Sequence, residues 1–416
     1  MAMTLVEKVM TRASHGEPVV VGQVVVCDVD TTVFLDLQFN DAIGWREPTQ
    51  IAHPDRVVII MDHAVPAPSI ADAEAGVRAR AFAKRFGVHR FYDVGRHGIC
   101  HQVIAEEGLA RPGEVLLCSD SHTCAAGAFG SLARGLGPAE MLQILCLGQT
   151  WFQVPPSIRY LLEGRLSEKV SGKDVFLWIA GTYGAAMNTA LEFGGPGLAT
   201  LGLSDRRTIA TQGAEVGADF TMFPADEICV DYLRTKCGDG KVNTLFPDEG
   251  ARYLDTRVVD LAQIEPQVAR PGTVINNSVA VTELVGVRID QFFIGSCANG
   301  QLEDLVVAAK ILDGKQVAAG SRMIVTPASQ KVWREAAAAG ILETLVAAGA
   351  VVTNSTCGAC LGYHMGLIAP GERCLTSSTR NFRGRMGSPD AEIFMASPAT
   401  VAASAIEGCI VDPRGG

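Results

Sequence analysis

Three of the twelve cysteines have the neighbours and spacing of metal ligands. Cys297 lies in the run Gly-Ser-Cys-Ala-Asn-Gly, and Cys357 and Cys360 form a Cys-Gly-Ala-Cys pair. A closed structural metal site uses four protein ligands, whereas a catalytic site leaves one coordination position for substrate. Thiolates in short spacing with one distant partner also bind iron–sulfur clusters. A cubane held by three thiolates keeps one iron without a protein ligand, and that iron can act as a Lewis acid on a hydroxyl or carboxylate.

A structural zinc ion is the alternative for the same cysteines, because Cys-x-x-Cys serves zinc sites, redox pairs and clusters alike. Cys374 or His364 could supply the fourth zinc ligand. A thioredoxin-type pair would lie at the start of a short βαβ unit, whereas this pair lies near the end of a long chain. These residues alone do not decide between a zinc site and a cluster.

Histidines beside carboxylates form a second group, concentrated early in the chain. Its members are Asp62, His63, His101, Asp120 and His122. General acid–base catalysis needs an imidazole that an acidic neighbour holds in one tautomer. An isolated histidine is more often a satisfied structural residue, and His15, His53 and His89 fit that description. The position of the others beside aspartates at the ends of apolar runs favours chemistry.

A basic stretch at 377–387 forms a third group. Arginine forks bind carboxylates with two hydrogen bonds, so Arg380 and Arg385 could hold a di- or tricarboxylate, whereas Arg383 fits a solvated loop. The glycine-rich run at 194–197 lacks the spacing of a dinucleotide-binding loop and is interpreted as a turn.

The elements that must position these residues alternate between apolar strand patterns and helical patterns, which indicates α/β layers with largely parallel sheets. The predicted strands are 57–61, 114–118, 290–294 and 350–353, and the predicted helices include 70–86 and 302–312. Each strand is followed by one of the polar motifs. Because ligands bind beyond the carboxyl ends of strands in open parallel sheets, the motifs lie where a shared site would form.

Length and composition limit the class of protein. A chain of 416 residues suggests two or three domains, and charged stretches near 163–174 and 265–273 predict domains at 1–163, 164–270 and 271–416. The net charge of -10 comes without a basic stripe, so nucleic acid is not an expected partner.

The apolar stretch 336–352 is interrupted by glycines and a glutamate, which predicts a helix and then a strand rather than a membrane span. The first residues lack an apolar run of the kind that a secretory signal needs. Twelve cysteines without an export signal indicate a reducing compartment. We therefore expect a cytoplasmic protein with no membrane partner.

Taken together, the motifs resemble the aconitase superfamily, and within it the branch formed by the large subunits of 3-isopropylmalate dehydratase and homoaconitase. The resemblance covers essentially the whole chain, in the family's order. The matching runs are HQ at 101–102, CSDSHT at 118–123, FFIGSCANGQLEDL at 292–305, CGACLGYHMG at 357–366, RNFRGRMG at 380–387 and ASPATVAASAIEG at 396–408.

The resemblance implies a [4Fe-4S] cluster held by Cys297, Cys357 and Cys360, with one iron left for substrate. It also implies an Asp62–His63 pair near the leaving hydroxyl, in which His63 is the acid.

Two further pairs follow from the same resemblance. His101 would pair with Asp120, and His122 with Glu215. Arg380 and Arg385 match arginines that bind substrate and organise the site, and Ser121 and Asn299 complete the expected substrate-binding set.

In single-chain aconitases a fourth, swivelling domain supplies the serine that removes the carbon-bound proton. This chain stops at Gly416, directly after the third domain. We therefore expect three aconitase-type α/β domains without the swivel domain, and a small swivel-domain subunit as partner.

Several positions depart from the family's pattern around cluster and substrate. They are Ala298 and Gln301 in the first cysteine motif, Thr379 before the first arginine, Thr211 and Gln212 before the Glu215 segment, and Leu35 in the first domain. Because a site built to hydrogen-bond one substrate rejects its analogues, these changes bear on the substrate more than on the reaction.

The expected function is the large subunit of a hydro-lyase that reversibly dehydrates or isomerises a small hydroxy di- or tricarboxylate. The resemblance puts 3-isopropylmalate first, which would place the enzyme in leucine biosynthesis, and leaves homoaconitate, citramalate or a dimethylmalate-type substrate open. The alternative is a non-catalytic or regulatory metal-binding protein that kept the fold.

Overall fold

The structure is a computed structural model that describes residues 2–16, 18–237 and 242–415. In these ranges the strands are β1 (Val24–Asp28), β2 (Thr31–Leu35), β3 (Val57–Ile60), β4 (Arg90–Tyr92), β5 (Val115–Cys118), β6 (Leu132–Gly135), β7 (Gln149–Gln153), β8 (Ser157–Glu163), β9 (Ala190–Gly194), β10 (Phe220–Met222), β11 (Asp255–Asp260), β12 (Gln267–Ala269), β13 (Ser278–Ala280), β14 (Gln291–Ile294), β15 (Arg322–Val325), β16 (Ala350–Val352), β17 (Arg373–Thr376) and β18 (Glu392–Ala396).

The α-helices in the same ranges are α1 (Leu5–Ala13), α2 (Ile70–Phe86), α3 (Cys100–Glu106), α4 (Pro138–Leu147), α5 (Gly172–Tyr183), α6 (Leu203–Gln212), α7 (Glu227–Cys237), α8 (Leu302–Leu312), α9 (Gln330–Ala338), α10 (Ile341–Ala347), α11 (Gly358–Leu361) and α12 (Pro398–Glu407). None of these helices is both long enough and apolar enough to cross a bilayer.

The chain forms two compact units. The first unit comprises Met1–Glu163 and Ala186–Val259, and the second comprises Gly164–Ala185 and Asp260–Gly416. The division into three domains at 1–163, 164–270 and 271–416 is a finer one than these two units test, and it stays a prediction.

The first unit is built on a parallel five-stranded sheet in the order β4-β3-β2-β5-β6. Strands β2, β3 and β5 are buried along their whole length, as expected for parallel strands with both faces covered. Strand order reverses between β2 and β5, and such a switch point opens a crevice at the carboxyl ends. The segments that follow β2, β3 and β5 therefore meet at one edge.

Helix α2 shows how local sequence defines an element of this unit. Ser69 caps its first turn by accepting a hydrogen bond from the Asp72 backbone N–H, and Gly87 ends it in the left-handed conformation. The buried face of the helix includes Ala75, Ala79, Phe82 and Ala83, which join the same core as Ile59 of the sheet. The unit also contains an antiparallel β1-β7 ribbon and a four-stranded sheet in the order β10-β9-β8-β11.

The second unit is built on a seven-stranded sheet in the order β13-β12-β18-β17-β14-β15-β16. Strands β14 to β18 pair in parallel, whereas β12 pairs with its neighbours in antiparallel. Strand order reverses between β14 and β17, so this sheet has its own switch point. The segment with Cys297 follows β14, and the segment with Arg380 follows β17.

These sheets confirm the predicted α/β fold with largely parallel strands. The predicted strands agree with β3, β5, β14 and β16 to within one residue at each end, and the helices 70–86 and 302–312 are α2 and α8. Residues 194–197 form a strand end and a 3-10 turn, and the stretch 336–352 contains a helix and then a strand, as expected.

Candidate active site

The first unit brings the predicted histidines and carboxylates together; we call Asp62, His63, His101, Asp120, His122 and Glu215 the histidine cluster. Asp120 lies at its centre, directly beyond β5. Nε2 of His101 is 2.8 Å from Asp120 Oδ1, and the His122 backbone N–H donates to the same oxygen at 2.8 Å. Because an ionised carboxylate only accepts hydrogen bonds, the His101 Nε2 atom in this pair carries the proton.

The Asp120 carboxyl is held as an anion. Burial raises its pKa, but the hydrogen bonds and charges of His101 and His122 outweigh burial and hold the pKa well below its usual range. The ligand atoms of Cys100, His101 and Asp120 all lie within 4.8 Å of one another. Burial and the Cys118 thiol raise the Cys100 pKa well above its ordinary value, so this thiol is protonated at neutral pH when no metal is bound.

The pair formed by His122 and Glu215 joins residues 93 positions apart. His122 Nε2 is 2.8 Å from Glu215 Oε1, and the histidine is almost fully buried. Glu215 lies in the 3-10 turn Gly213–Val216, which follows α6 directly. A Cβ atom at Gly213 would lie 1.8 Å from Thr221 Oγ1, so only glycine lets this turn approach β10.

His63 is surrounded by three carboxylates. Its Nδ1 atom is 3.6 Å from Asp62 Oδ2 and 4.0 Å from Asp36 Oδ1, and its Nε2 atom is 3.7 Å from Asp120 Oδ2. Asp62 also accepts the Cys100 backbone N–H at 2.9 Å. Carboxylates at these distances stabilise positive charge on the ring.

Asp36 is a site residue that the sequence analysis did not identify. It is buried just beyond β2, and its two oxygens accept the backbone N–H groups of His63 at 3.0 Å and Ala64 at 2.7 Å. These bonds fix the backbone that carries His63. The strand-end argument used for Asp62 and Asp120 would have found Asp36 if residues 31–35 had been interpreted as a strand.

The second unit brings Cys297, Cys357 and Cys360 together; we call them the cysteine cluster. The Cys357 thiol hydrogen-bonds with both other thiols, and all three side chains are buried. Arg385 Nη2 lies 3.9 Å from Cys360 Sγ. The hydrogen bond from Cys357 lowers the Cys360 pKa, burial opposes it, and the Arg385 charge lowers it further, to about 5. Cys360 is therefore a thiolate at neutral pH.

The loop that carries Cys297 is held by Asp304, a second residue that the sequence analysis did not identify. Its carboxylate accepts hydrogen bonds from Asn299 Nδ2 at 3.1 Å and from the backbone N–H groups of Gly300 and Gln301 at 2.8 and 3.0 Å. Burial raises the Asp304 pKa to about 7 against these bonds. An acidic residue at the third position of a helix is the sequence signal for such a cap.

The same loop contains strained backbone. Ser296 has a φ of 98°, which is costly for a residue with a side chain. Gly300 has a φ of +95°, and a Cβ atom there would lie 2.7 Å from the Thr326 carbonyl oxygen. Asp304 holds the loop from one side, and the Ala328 backbone N–H, which donates to the Gly300 carbonyl at 2.8 Å, holds it from the other. The Cys297 residue thus lies just beyond the end of β14.

Buried polar atoms beside the cysteines test which group they would hold. Within the described ranges, Ser296 Oγ, Asn299 Oδ1, Ser355 Oγ and Arg385 Nε have no hydrogen-bond partner. A buried polar atom without a partner costs about 1–3 kcal/mol, so their concentration here indicates that a polar group binds beside the thiols. Three cysteine sulfurs form a soft donor set that fits an iron–sulfur cluster.

The zinc alternative needs a fourth ligand, for which the sequence offers Cys374 or His364. Cys374 is fully buried on β17, where burial raises its pKa to about 12. Without a bound metal, Cys374 is therefore a protonated thiol of the core, and metal analysis distinguishes zinc from a cluster.

The remaining predicted residues lie at the edges of the two clusters. Arg380 is half-buried, four residues beyond β17, and Arg385 lies 5.8 Å over the Phe382 ring. Arg383 is exposed beside Asp390, as expected for a solvated loop. Ser121 is exposed between Asp120 and His122 in the first unit.

Comparison with known proteins identifies the family of this chain. The sequence profile of the Aconitase family (aconitate hydratase) matches residues 19–286 and 274–408. A 3-isopropylmalate dehydratase large subunit from Mycolicibacterium smegmatis is 59% identical over 414 residues, which cover 100% of this chain and 97% of that protein. A 3-isopropylmalate dehydratase large subunit 1 from Methanopyrus kandleri is 42% identical over 420 residues, which cover 100% and 99%.

Among solved structures, the holo-form of aconitase X from Thermococcus kodakaraensis matches 88% of each chain with a TM-score of 0.51. At 12% identity this match shows similarity of fold alone. The family profile and the two full-length relatives carry the assignment, and both agree with the motif order read from the sequence. The chain belongs to the aconitase family.

Proposed function

We propose that this chain is the large subunit of a [4Fe-4S]-dependent hydro-lyase that reversibly dehydrates and isomerises 3-isopropylmalate. The observation that carries the proposal is the buried cysteine cluster, with Arg385 against the Cys360 thiolate and buried polar atoms beside it that lack partners. The names of the two full-length relatives give the substrate.

Cys297, Cys357 and Cys360 would hold the cluster. When bound, a [4Fe-4S] cluster with three protein thiolates supplies one open iron that acts as a Lewis acid on a substrate oxygen. Arg385 offsets the negative charge of the thiolates, and Asp304 keeps the Cys297 loop in place. These residues would therefore hold a cluster in place and offset its negative charge, and none of them would supply a fourth ligand.

The proposed reaction also needs the histidine cluster. We assign the proton given to the leaving hydroxyl to His63, because Asp62 and Asp36 lie near its Nδ1 and Asp120 lies near its Nε2, and these carboxylates stabilise the protonated ring. The Asp120 anion holds His101, and Glu215 holds His122, so each imidazole keeps one orientation.

Arg380 and Arg385 are the proposed carboxylate-binding residues, with Ser121 and Asn299 as further polar contacts. A dianionic substrate needs such guanidinium groups, because they bind carboxylates with two hydrogen bonds each. Asn299 already donates to Asp304 through Nδ2, which leaves Oδ1 to accept from a ligand.

A small swivel-domain subunit is the proposed partner. Both relatives are named large subunits, and in the family the base that removes the carbon-bound proton lies on the swivel domain. The alternative, a non-catalytic protein of the same fold, would have no need for three oriented histidine–carboxylate pairs.

The test is anaerobic reconstitution of this chain with the small subunit, followed by metal analysis and turnover. We expect about four iron and four sulfide per chain, and formation of a conjugated alkene acid from 3-isopropylmalate, seen by its ultraviolet absorbance. Homocitrate, citramalate and 2,3-dimethylmalate serve as comparison substrates, and faster turnover of one of them would reassign the substrate. Bound zinc would contradict the cluster, and a full cluster without turnover of any of the four acids would favour the non-catalytic alternative.

A further inference from the structure

Lys173 is a fully buried lysine in the second unit. It is the second residue of α5, and its exposed fraction is 0%. Lysine is almost never fully buried, because its ammonium group loses the hydration shell of water. A position of this kind calls for hydrogen bonds that replace the lost water, and it points to a role for the charge.

The Lys173 ammonium group binds two consecutive backbone carbonyls. Nζ donates to the Ser377 carbonyl at 3.0 Å and to the Ser378 carbonyl at 2.6 Å. Both residues lie directly beyond β17, at the strand-order switch of the sheet. The two bonds join positions more than 200 residues apart in the sequence.

The turn at 377–378 connects the two loops of the candidate site in this unit. On one side, Ser377 Oγ accepts the Gly295 backbone N–H at 3.2 Å, two residues before Cys297. On the other side, Ser378 Oγ donates to the Arg380 carbonyl at 3.3 Å. A displacement of this turn therefore reaches the Arg380 backbone through the Ser378 hydrogen bond.

The segment beyond Arg380 is also fixed. Asn381 Nδ2 donates to the Arg270 carbonyl at 2.7 Å, and the Gly272 backbone N–H donates to the Asn381 carbonyl at 3.0 Å. Arg380 thus lies between two anchored points, and Lys173 supplies the anchor on the β17 side.

We propose that Lys173 is a positioning residue, whose ammonium group fixes the 377–378 turn and so directs the Arg380 guanidinium toward a substrate carboxylate. The inference rests on the proposed substrate-binding role of Arg380. Lys173 itself lies on α5 and acts through the backbone, so it needs no contact with substrate.

The test is Lys173→Met in the enzyme assembled with its small subunit, because methionine is similar in length but donates no hydrogen bond. We expect KM for 3-isopropylmalate to rise about 10- to 100-fold, as for a misplaced binding group, and kcat to fall less than KM rises. Amide hydrogen exchange should accelerate in the peptide covering 377–381, while iron and sulfide stay at about four per chain.

Lys169→Met is the matched control. Lys169 also donates from Nζ to a backbone carbonyl of the same unit, but this carbonyl belongs to Pro413, at 2.8 Å, rather than to the 377–378 turn. This variant should keep wild-type KM and wild-type exchange at 377–381. If Lys173→Met does not fold, Lys173→Gln is measured instead, since its shorter, uncharged amide cannot span both carbonyls.

Three outcomes are distinguishable. A raised KM with faster exchange at 377–381, absent in the Lys169 control, supports the positioning role. Lower stability with unchanged KM and exchange would overturn it, because Lys173 would then serve only the core. Arg380→Gln is measured in parallel: if this variant keeps the wild-type KM, the proposed role of Arg380 is wrong, independently of what Lys173 does.

Discussion

Asp36 accepts the backbone N–H groups of His63 and Ala64 with its two carboxylate oxygens, so it sets the position of His63 without contacting the ring through a hydrogen bond. Asp62 is held in turn by the Cys100 N–H group, and Asp120 by two histidines. At the scale of single residues, the histidine cluster is therefore a set of imidazoles whose orientation is fixed by buried carboxylates. Such an arrangement suits proton transfer from one defined nitrogen.

The variant Asp36→Asn tests this positioning. An amide can accept only through one of its two polar atoms, so one of the two backbone bonds is lost and the His63 backbone shifts. We expect kcat/KM to fall about 10- to 100-fold, with unchanged iron content.

The matched control is Asp72→Asn. Asp72 is also a buried carboxylate of the first unit with two side-chain partners, Ser69 and Asn40, but it lies at the start of α2. This variant should keep wild-type kcat/KM. Wild-type turnover in Asp36→Asn would show that the His63 backbone is fixed by other contacts.

The cysteine cluster gives a second prediction at this scale. Cys357 contacts both other thiols. Serine is a poor replacement, because its hydroxyl loses a proton far less readily than a thiol does and an alkoxide is a harder ligand than a thiolate. We expect Cys357→Ser to lose turnover and to hold well under four irons per chain. Cys374→Ser removes a buried thiol of the same unit outside the cluster and should keep the iron, whereas full iron content in Cys357→Ser would remove Cys357 from the ligand set.

At the scale of elements, Asp62, Asp120 and Cys297 each lie just beyond the carboxyl end of a buried parallel strand. This rule could be read from the sequence, because runs such as 57–61 and 290–294 are short, apolar and rich in β-branched or aromatic residues. It located Asp62, Asp120 and Cys297 correctly relative to β3, β5 and β14. The carboxyl ends of parallel strands lie at the same edge of a sheet. Residues that follow different strands can therefore come close together.

The residues that support the motifs could not be read in the same way. Asp36 follows a strand that begins with two threonines, so its apolar pattern is weak. Asp304 looks like an ordinary helix cap, and only the folded loop shows that its carboxylate holds the Cys297 segment. Lys173 has the sequence character of a surface residue, and its burial depends on carbonyls more than 200 residues away.

The loop before α8 carries a prediction at the element scale, tested with Gly300→Ala. A Cβ atom at this position is strained at a φ of +95° and lies 2.7 Å from the Thr326 carbonyl, so the loop must shift and Cys297 with it. We expect the free energy of unfolding to fall by about 2–4 kcal/mol and the iron content to fall as well.

Gly314, just beyond the end of α8, gives the matched control. It has a φ of +67°, but a Cβ atom added there would meet no other atom within 4 Å. Gly314→Ala should therefore cost only about 1 kcal/mol of backbone strain and leave the iron content unchanged. Equal effects of the two substitutions on denaturant unfolding would show that the contact with Thr326 is relieved at no cost.

At the scale of the whole molecule, each compact unit contains its own core and its own parallel sheet with a switch point. The first unit carries the proposed acid–base residues, and the second carries the three cysteines of the cysteine cluster with Arg380 and Arg385. Because each cluster is complete within one unit, cluster binding and proton transfer can be disrupted separately. Substitutions in the histidine cluster should thus spare the iron, and substitutions in the cysteine cluster should spare the fold of the first unit.

This division leads to a prediction about assembly. The Cys297, Cys357 and Cys360 ligand set lies within this chain, whereas the proposed base for the carbon-bound proton lies on the small subunit. We therefore expect the reconstituted chain alone to hold about four irons without turnover, and turnover to rise to saturation as the small subunit is added. Cys357→Ser titrated with the same subunit is the control and should stay inactive. Turnover by the isolated chain would mean that it carries its own base, and the exposed Ser121 beside Asp120 would then be the first residue to replace.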